Sequence, residues 1–389
     1  MFGGGTNGYP FVARIGSALH ARYVRLSLDD MQYMHLSKVE IYVRSEFVVL
    51  IDYLERFDIP YQQISRIIGS YKLTKSDTSQ TNAIVGIRID YSGRFGNLLI
   101  QYINVIQLAE RTGLKYIMLG RHELLDLKME FTLNGIRISP PDQPLPPDGM
   151  LLTGEFFNSD DFVPVLSPFL RFLPQDEVDS SRVVHNYLVP YVLTGIPVDG
   201  EQHFEDELTI HIRSGDVFKS DDPVTYGYRQ PPLSFYILVI ERMQKAGRIN
   251  KVRLVFEDRG NPCVDALSIW LADQLIPCRI QNASLREDMS ALVNAPHLVF
   301  GHGTFGYGAC RLSRKIKTVH FFAPQLGGSY ECMPNIEEVY RVWDMEDKYI
   351  KAFEYGKPFG PEEGWRRTPA MMNTMITYPE EWLRIERLR

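Results

Sequence analysis

The sequence is poor in cysteine and has no long apolar run, and both absences narrow what it can be. Its longest apolar stretches, such as Phe47-Val48-Val49-Leu50-Ile51, are soon broken by charge. None approaches the roughly 20 residues that a membrane-spanning helix requires, so no integral membrane segment is expected. Four cysteines in 389 residues, Cys263, Cys278, Cys310 and Cys332, form no Cys-x-x-Cys pair and have no paired histidines at ligand spacing. That disfavours a disulfide framework or a zinc site, and buried free thiols are expected instead. A basic stripe is also missing: Lys and Arg total 42 against 48 Asp and Glu, for a net charge of −6. A nucleic-acid partner is therefore not expected. The opening Met-Phe-Gly-Gly-Gly-Thr-Asn-Gly lacks a charged segment followed by an apolar one, so it does not read as a secretory leader. Asn282-Ala283-Ser284 matches a glycosylation sequon, but a three-residue pattern weighs little. A cytoplasmic location is the expectation, with peripheral attachment to a membrane left open.

What is present is ample material for folded cores. Hydrophobic residues make up 44% of the chain and aromatics 12%, and the length suits two domains better than one. In residues 1–45, Ala21-Arg22-Tyr23-Val24-Arg25-Leu26-Ser27-Leu28 and Leu36-Ser37-Lys38-Val39-Glu40-Ile41-Tyr42 alternate apolar and polar side chains. The pattern predicts an antiparallel pair with one wet face. This text resembles the closing strands of a discoidin-like β-sandwich, but it is far short of the roughly 100 residues such a sandwich needs. It reads as a remnant, with no sugar binding implied. Residues 46–82 read as a helix, then a polar linker over Thr74-Lys75-Ser76-Asp77-Thr78-Ser79-Gln80-Thr81.

From residue 83 the pattern changes to strand, glycine turn, helix, strand. Ile84-Val85-Gly86-Ile87-Arg88-Ile89 is a strand, Leu98 to Thr112 an apolar-periodic helix capped by Gly113, and Leu114 to Leu119 the next strand. That βαβ unit implies a parallel sheet. A second series starts at residue 207, with strands at 208–212, 252–256, 278–280, 297–300 and 318–322 separated by helices. The expected fold is α/β, with two Rossmann-like domains over 83–205 and 206–345. A helical extension over 346–389 completes the chain, and a cleft between the two sheet edges is the preferred ligand site. The loops near 120–150 and 216–232 carry no readable code.

Three turns in this frame could hold a phosphate. Gly93-Arg94-Phe95-Gly96-Asn97 lies between a strand and a helix, where glycines permit close backbone approach and a helix start attracts anions. It is not the dinucleotide fingerprint, and read alone it is a tight turn. His211-Ile212-Arg213-Ser214-Gly215-Asp216 delivers an arginine from a buried strand to a glycine turn, where a guanidinium suits phosphate oxygens. His211 read alone is a satisfied core histidine, and Asp216 read alone caps the turn. The third turn, Gly301-His302-Gly303-Thr304-Phe305, exposes backbone N–H groups at a helix start. Between the last two, Glu257-Asp258 ends a strand and offers acceptors for a base or ribose.

Taken in order, the turns resemble one superfamily. The stretch from Gly93 to Asn97 is similar to the N-terminal motif of protein O-fucosyltransferases and bacterial α-1,2-fucosyltransferases. His211 to Asp216 resembles their His-x-Arg-Arg-Gly-Asp motif, and Gly303-Thr304-Phe305 their Ser-Thr/Ser-Phe motif. Gly154-Glu155-Phe156-Phe157-Asn158-Ser159 resembles the Gly-Tyr-Phe-Gln-Ser segment of the α-1,2 enzymes. The resemblance spans roughly residues 83–325 and implies a GT-B fold and metal-independent, inverting transfer of fucose from GDP-fucose to a hydroxyl of a glycan or glycoconjugate. It implies no cofactor beyond the nucleotide-sugar donor.

By the same resemblance Arg213 holds the β-phosphate, with Gly93, Arg94, Gly96, Asn97, His211, Asp258, Gly303, Thr304 and Phe305 around the donor. Arg213 and Asn97 would serve the reacting centre. Asp216 and Glu155 are the candidate general bases, since proton removal from a hydroxyl calls for a carboxylate or histidine within reach. Two departures stand out. Ser214 occupies the place of the second family arginine, for which Arg94 or Arg311 could compensate, and Gly306-Tyr307-Gly308 replaces the tryptophans of the α-1,2 enzymes. A different nucleotide sugar, or a carbohydrate-binding protein with decayed catalysis, are the competing readings. Oligomeric state has no signature in the sequence.

Overall fold

The computed structural model describes residues 72–75, 84–157 except 92, 125, 126, 128 and 148, then 180–191, 196, 204–219, 230–323, 336–345, 348–349 and 368–389. The discoidin-like text of residues 1–45 and the helix expected after it lie outside the described residues.

Two largely parallel sheets form an α/β, GT-B-like architecture. In the first half, strands β1 (Lys72–Lys75) and β2 (Ile84–Ile89) lead to helix α1 (Phe95–Thr112) and strand β3 (Tyr116–Met118). Strands β4 (Phe131–Leu133), β5 (Ile136–Ser139) and β6 (Met150–Gly154) follow, giving the order β1-β6-β2-β3-β5-β4. Helix α1 ends where the sequence expects: Gly113 takes φ +71°, a left-handed conformation that glycine adopts without penalty. Helix α2 starts at Ser180–Val183 and widens into a π turn at Val184–Leu188 before Val189–Tyr191. It is tied to α1 by Arg182 and Tyr187, which both bond Glu110.

The second half contributes β7 (Glu207–Ile212), a short helix α3 (Asp216–Lys219), α4 (Leu233–Lys245), β8 (Lys251–Phe256), α5 (Pro262–Asp273) and β9 (Cys278–Gln281). Then come α6 (Leu285–Val293), β10 (His297–Phe300), α7 (Thr304–Leu312), β11 (Thr318–Ala323) and β12 (Glu338–Asp344). The order is β13-β12-β11-β10-β7-β8-β9, where β13 is Leu383–Arg387, reached through α8 (Pro369–Thr377). Every pairing is parallel except β12 with β13.

Period-two alternation decides which side chains meet the cleft. Leu208, Ile210 and Ile212 of β7 enter a core with α4, α5 and α8, so His211 and Arg213 project to the opposite face. The other core runs without a break from the first sheet, through Leu98, Leu99 and Tyr102 of α1, to Tyr307 and Cys310 of α7. The two halves therefore share one apolar seam.

Four expectations need correction. Thr74 and Lys75 are not linker: they end the edge strand β1 and pair with Leu151 and Met150, because the sheet supplies the backbone partners a polar string would otherwise take from water. The loop near 120–150 contains a hairpin, β4–β5, turned by Asn134 (φ +52°) and Gly135 (φ +77°), a signal legible as Asn-Gly between apolar strands. Residues after 345 do not end as helix, since Leu383-Arg384-Ile385-Glu386-Arg387 alternates and pairs with β12. Of the cysteines, Cys263 and Cys310 are buried free thiols as expected, Cys278 is exposed, and Cys332 lies outside the described residues.

Candidate functional site

In the second sheet the strand order reverses between β7 and β10, which pair with each other and lead away in opposite directions. The crevice beyond the carboxyl ends at such a reversal is where open α/β sheets bind ligands. Arg213 follows β7 and Gly301-His302-Gly303-Thr304 follows β10, so two of the three turns flank that point. The first half presents the third: α1 starts at Phe95 with Arg94 as N-cap.

A cavity of about 350 Å³ opens between the halves. Its wall from the first half is Arg94, Phe95, Gly96, His122 and Glu123. From the second half, His211, Arg213, Ser214, Thr304 and Phe305 line one end. Glu257, Ala283, Leu285 and Asp288 line the other, over Val255 and Phe256.

Two guanidiniums and two helix starts meet here, among the carboxylates of Glu123, Glu257 and Asp288. Neither α1 nor α7 has a side-chain cap or an acidic residue in its first turn, so each leaves a partly positive N-terminus facing the cleft. Gly303, the N-cap of α7, has φ +139°, and a β-carbon there would stand 3.5 Å from Arg213 Nη1. The guanidinium thus lies against the start of that helix. Its side chain is only 11% exposed, and Nη2 reaches Asp216 Oδ1 at 3.3 Å. Asp216 Oδ1 also meets Arg94 Nη2 at 3.1 Å and accepts the Val217 N–H at 2.9 Å. Arg94 Nη1 stands 3.6 Å from Glu257 Oε2. Two guanidiniums, one from each half, are therefore bridged by one carboxylate.

Asn97 and Gly96 lie at the contact between the halves. Thr304 Oγ1 donates to Asn97 Oδ1 at 2.7 Å, and Asn97 Nδ2 donates to Tyr91 Oη at 3.1 Å. A β-carbon on Gly96 would overlap the Thr304 backbone carbonyl. Only glycine lets α1 and α7 meet this closely. Gly93 packs under the Tyr91 ring instead of lining the cavity.

Ser214 is buried, and the structure gives a reason for its identity. Its hydroxyl bonds Asp258 Oδ1 and accepts the Asn261 N–H at 3.1 Å. Asp258 Oδ1 in turn accepts from Gly215 N at 3.2 Å and Gly260 N at 2.9 Å. Asp258, expected beside a base or ribose, is thus used up fastening the turn after β7 and does not line the cavity; its neighbour Glu257 does. Gly215 takes φ +69°, and a β-carbon there would collide with the Glu257 carboxylate.

His211 lines the cavity with its ring 5.1 Å from that of Phe305. Burial, and secondarily the Arg213 charge, push its pKa down to about 3, so the imidazole is neutral. His122, which the motifs did not single out, packs against Phe95 with ring centroids 5.6 Å apart. Its Nδ1 accepts the Leu124 N–H at 3.2 Å, which assigns the ring proton to Nε2. Burial lowers its pKa, with nearby Glu123 pushing the other way.

Glu155 is exposed at the end of β6 and does not line the cavity. The turn beside it is fastened by Phe156 N–H to Gln101 Oε1 at 2.8 Å and by Asn104 Nδ2 to the carbonyls of Phe156 and Phe157. Arg311 is held by the Tyr307 hydroxyl along α7 and does not line the cavity either. The sequon text has a structural use as well: Ser284 and Glu287 form a capping box on α6. Among the described residues no helix is long and apolar enough to cross a membrane, and no group of three or more metal-ligating side chains occurs.

No protein-family model matches the chain, and no curated protein matches it. Among solved structures it is similar to POFUT1 in complex with GDP-fucose, at 10% identity and a TM-score of 0.34, over 62% of this chain and 99% of that one. A structure of POFUT1 in complex with GDP matches at 10% identity and 0.32, over the same shares of the two chains. Likeness at this level says nothing about substrate.

Proposed function

We propose that the chain is a glycosyltransferase that holds a nucleoside-diphosphate sugar in this cleft and transfers the sugar, with inversion, to a hydroxyl of a glycan or glycoconjugate. The observation that carries the reading is the convergence of Arg213, Arg94 and two uncapped helix starts on one cavity. Transfer from such a donor leaves a diphosphate behind, so negative charge grows on its oxygens in the transition state. Fixed guanidiniums and helix-start N–H groups aimed at that charge stabilise it without reorganisation.

In this reading the diphosphate replaces the Asp216 carboxylate between the two guanidiniums. Arg94 supplies from the opposing half the second cation that the family motif carries beside Arg213. These groups do the work a divalent metal does elsewhere, which is why transfer is proposed to be metal-independent. The glycine and threonine of the turn before α7 bring backbone N–H groups to the same oxygens. GDP-fucose is the proposed donor, on the sequence resemblance of the three turns.

The test is donor binding and turnover with the intact chain. A thermal-shift panel of GDP-, UDP-, CMP- and TDP-sugars should show stabilisation by GDP and GDP-fucose that survives EDTA. Arg213→Ala should abolish that shift and lower turnover by about 10²–10³-fold, the usual cost of one oxyanion donor. Stabilisation by UDP alone would replace fucose with another sugar, and normal turnover in Arg213→Ala would remove the phosphate site itself.

A further inference from the structure

We infer that Glu123 is the general base of the transfer, an assignment that rests on the glycosyltransferase reading above. Inversion requires the attacking hydroxyl to approach from the side opposite the departing diphosphate. In that reading the diphosphate is held at Arg213 and the start of α7, with Arg94 and the start of α1 closing on it from the first half, so the base is sought among the remaining first-half residues of the cavity wall. Among the described residues the first-half wall is Arg94, Phe95, Gly96, His122 and Glu123. Arg94 is a guanidinium with donors only and no acceptor. His122 spends its Nδ1 lone pair on the Leu124 N–H, so Nε2 carries the proton and can only donate. Glu123 alone remains as an acceptor of a proton.

Its setting suits the task. Glu123 is exposed, where an incoming acceptor can reach it, yet its loop is fastened on both sides. Tyr102 donates to the Gly120 carbonyl at 2.5 Å, Arg121 pairs with Asp142, and Leu124 is buried. The two bases suggested by the motifs fit less well. Asp216 is on the diphosphate side between two guanidiniums, and Glu155 is outside the cavity. Glu257 and Asp288 also line the cavity from the second half, with Glu257 beside Arg94 and Asp288 bonded to Gln281 and the Ala283 N–H.

The step balances with no further reactant. The acceptor oxygen forms a bond to the anomeric carbon as its proton passes to a Glu123 carboxylate oxygen. The bond from that carbon to the β-phosphate oxygen breaks, and its electron pair leaves with the nucleoside diphosphate.

Because water can serve as acceptor, the experiment needs no knowledge of the natural one. GDP release from GDP-fucose is followed with the full-length wild-type chain, Glu123→Gln and Glu123→Ala, beside GDP affinity by calorimetry. The expected result is a loss of about 100-fold or more in release for both variants, with the GDP dissociation constant changed less than twofold. Sodium azide, which attacks without a proton to remove, should restore release in Glu123→Ala and form the glycosyl azide. Unchanged release in Glu123→Gln overturns the assignment, as does GDP-fucose that binds the wild-type chain and stays intact. Failure of the wild-type chain to bind GDP or GDP-fucose overturns instead the donor reading on which it rests.

Discussion

Ser214 shows how a single position can mislead when read only as a charge lost. In the linear motif it removes a cation from a phosphate site. In the fold its side chain is buried, bonded to Asp258 and accepting the Asn261 N–H. The residue lines the cavity, but its hydroxyl is committed to that network. Ser214→Arg is therefore expected not to tighten GDP binding in calorimetry, although it restores the family text. It should also cost about 2 kcal/mol or more of stability in urea unfolding, because a long charged side chain would displace the Asp258 network. Tighter GDP binding in that variant would show that a cation at position 214 can reach the donor in spite of that network. Arg213 and Arg94 were legible as residues, but their pairing through Asp216 was not, since the residues are far apart in sequence.

At the scale of elements, the contact of α1 with α7 sets the width of the cleft. Gly96 meets the Thr304 backbone, Gly308 lies over Leu99, and the Thr304–Asn97 hydrogen bond closes the contact. Gly96→Val should force the two helix starts apart, at about 1–3 kcal/mol from overpacking. Because both uncapped N-termini move with their helices, GDP affinity should fall along with the melting temperature. Asn97→Ala, which removes a bond but adds no bulk, should cost less stability. If Gly96→Val binds GDP as the wild type does, the contact does not govern the site. Elements with a clear period were legible to within a residue or two: α6 and β10 run Leu285–Val293 and His297–Phe300, as the sequence reads. The edge strands β1 and β13 were missed because an edge strand owes its existence to the neighbour it pairs with.

For the whole molecule, the shared apolar seam through α1 and α7 makes the cleft a built feature rather than a gap between loosely joined units. Domain pairs with large apolar interfaces move less than those joined by small polar ones. The same tight packing carries an acid sensitivity. His320, in β11, is buried and stacked on Tyr340 with ring centroids 4.6 Å apart, and burial pushes its pKa down to about 3. His211 is displaced to about 3 as well. The unfolded chain takes up protons on these histidines near pH 6.5 and the folded chain does not until about pH 3. Their contribution to stability is therefore complete above about pH 6.5 and lost progressively as the pH falls towards 3. Melting temperature should drop across that window, and His320→Phe should flatten the drop while keeping the aromatic stack. An equal acid slope in His320→Phe would place the sensitivity elsewhere.

The order of strands and helices, the three glycine turns and the arginine at the end of β7 are all local in origin. They follow from apolar period, helix stops and turn chemistry, which the sequence by itself determined. Which carboxylate turns inward and which faces the ligand was not local. Glu257 and Asp258 are neighbours with the same charge, yet only the fold assigns one to the cavity and the other to the turn after β7. The same holds for His122 and Glu123, which belong to no motif and line the cavity because the loop after β3 ends there. Proximity between distant segments is set by packing of whole elements, and only the tertiary structure could decide it.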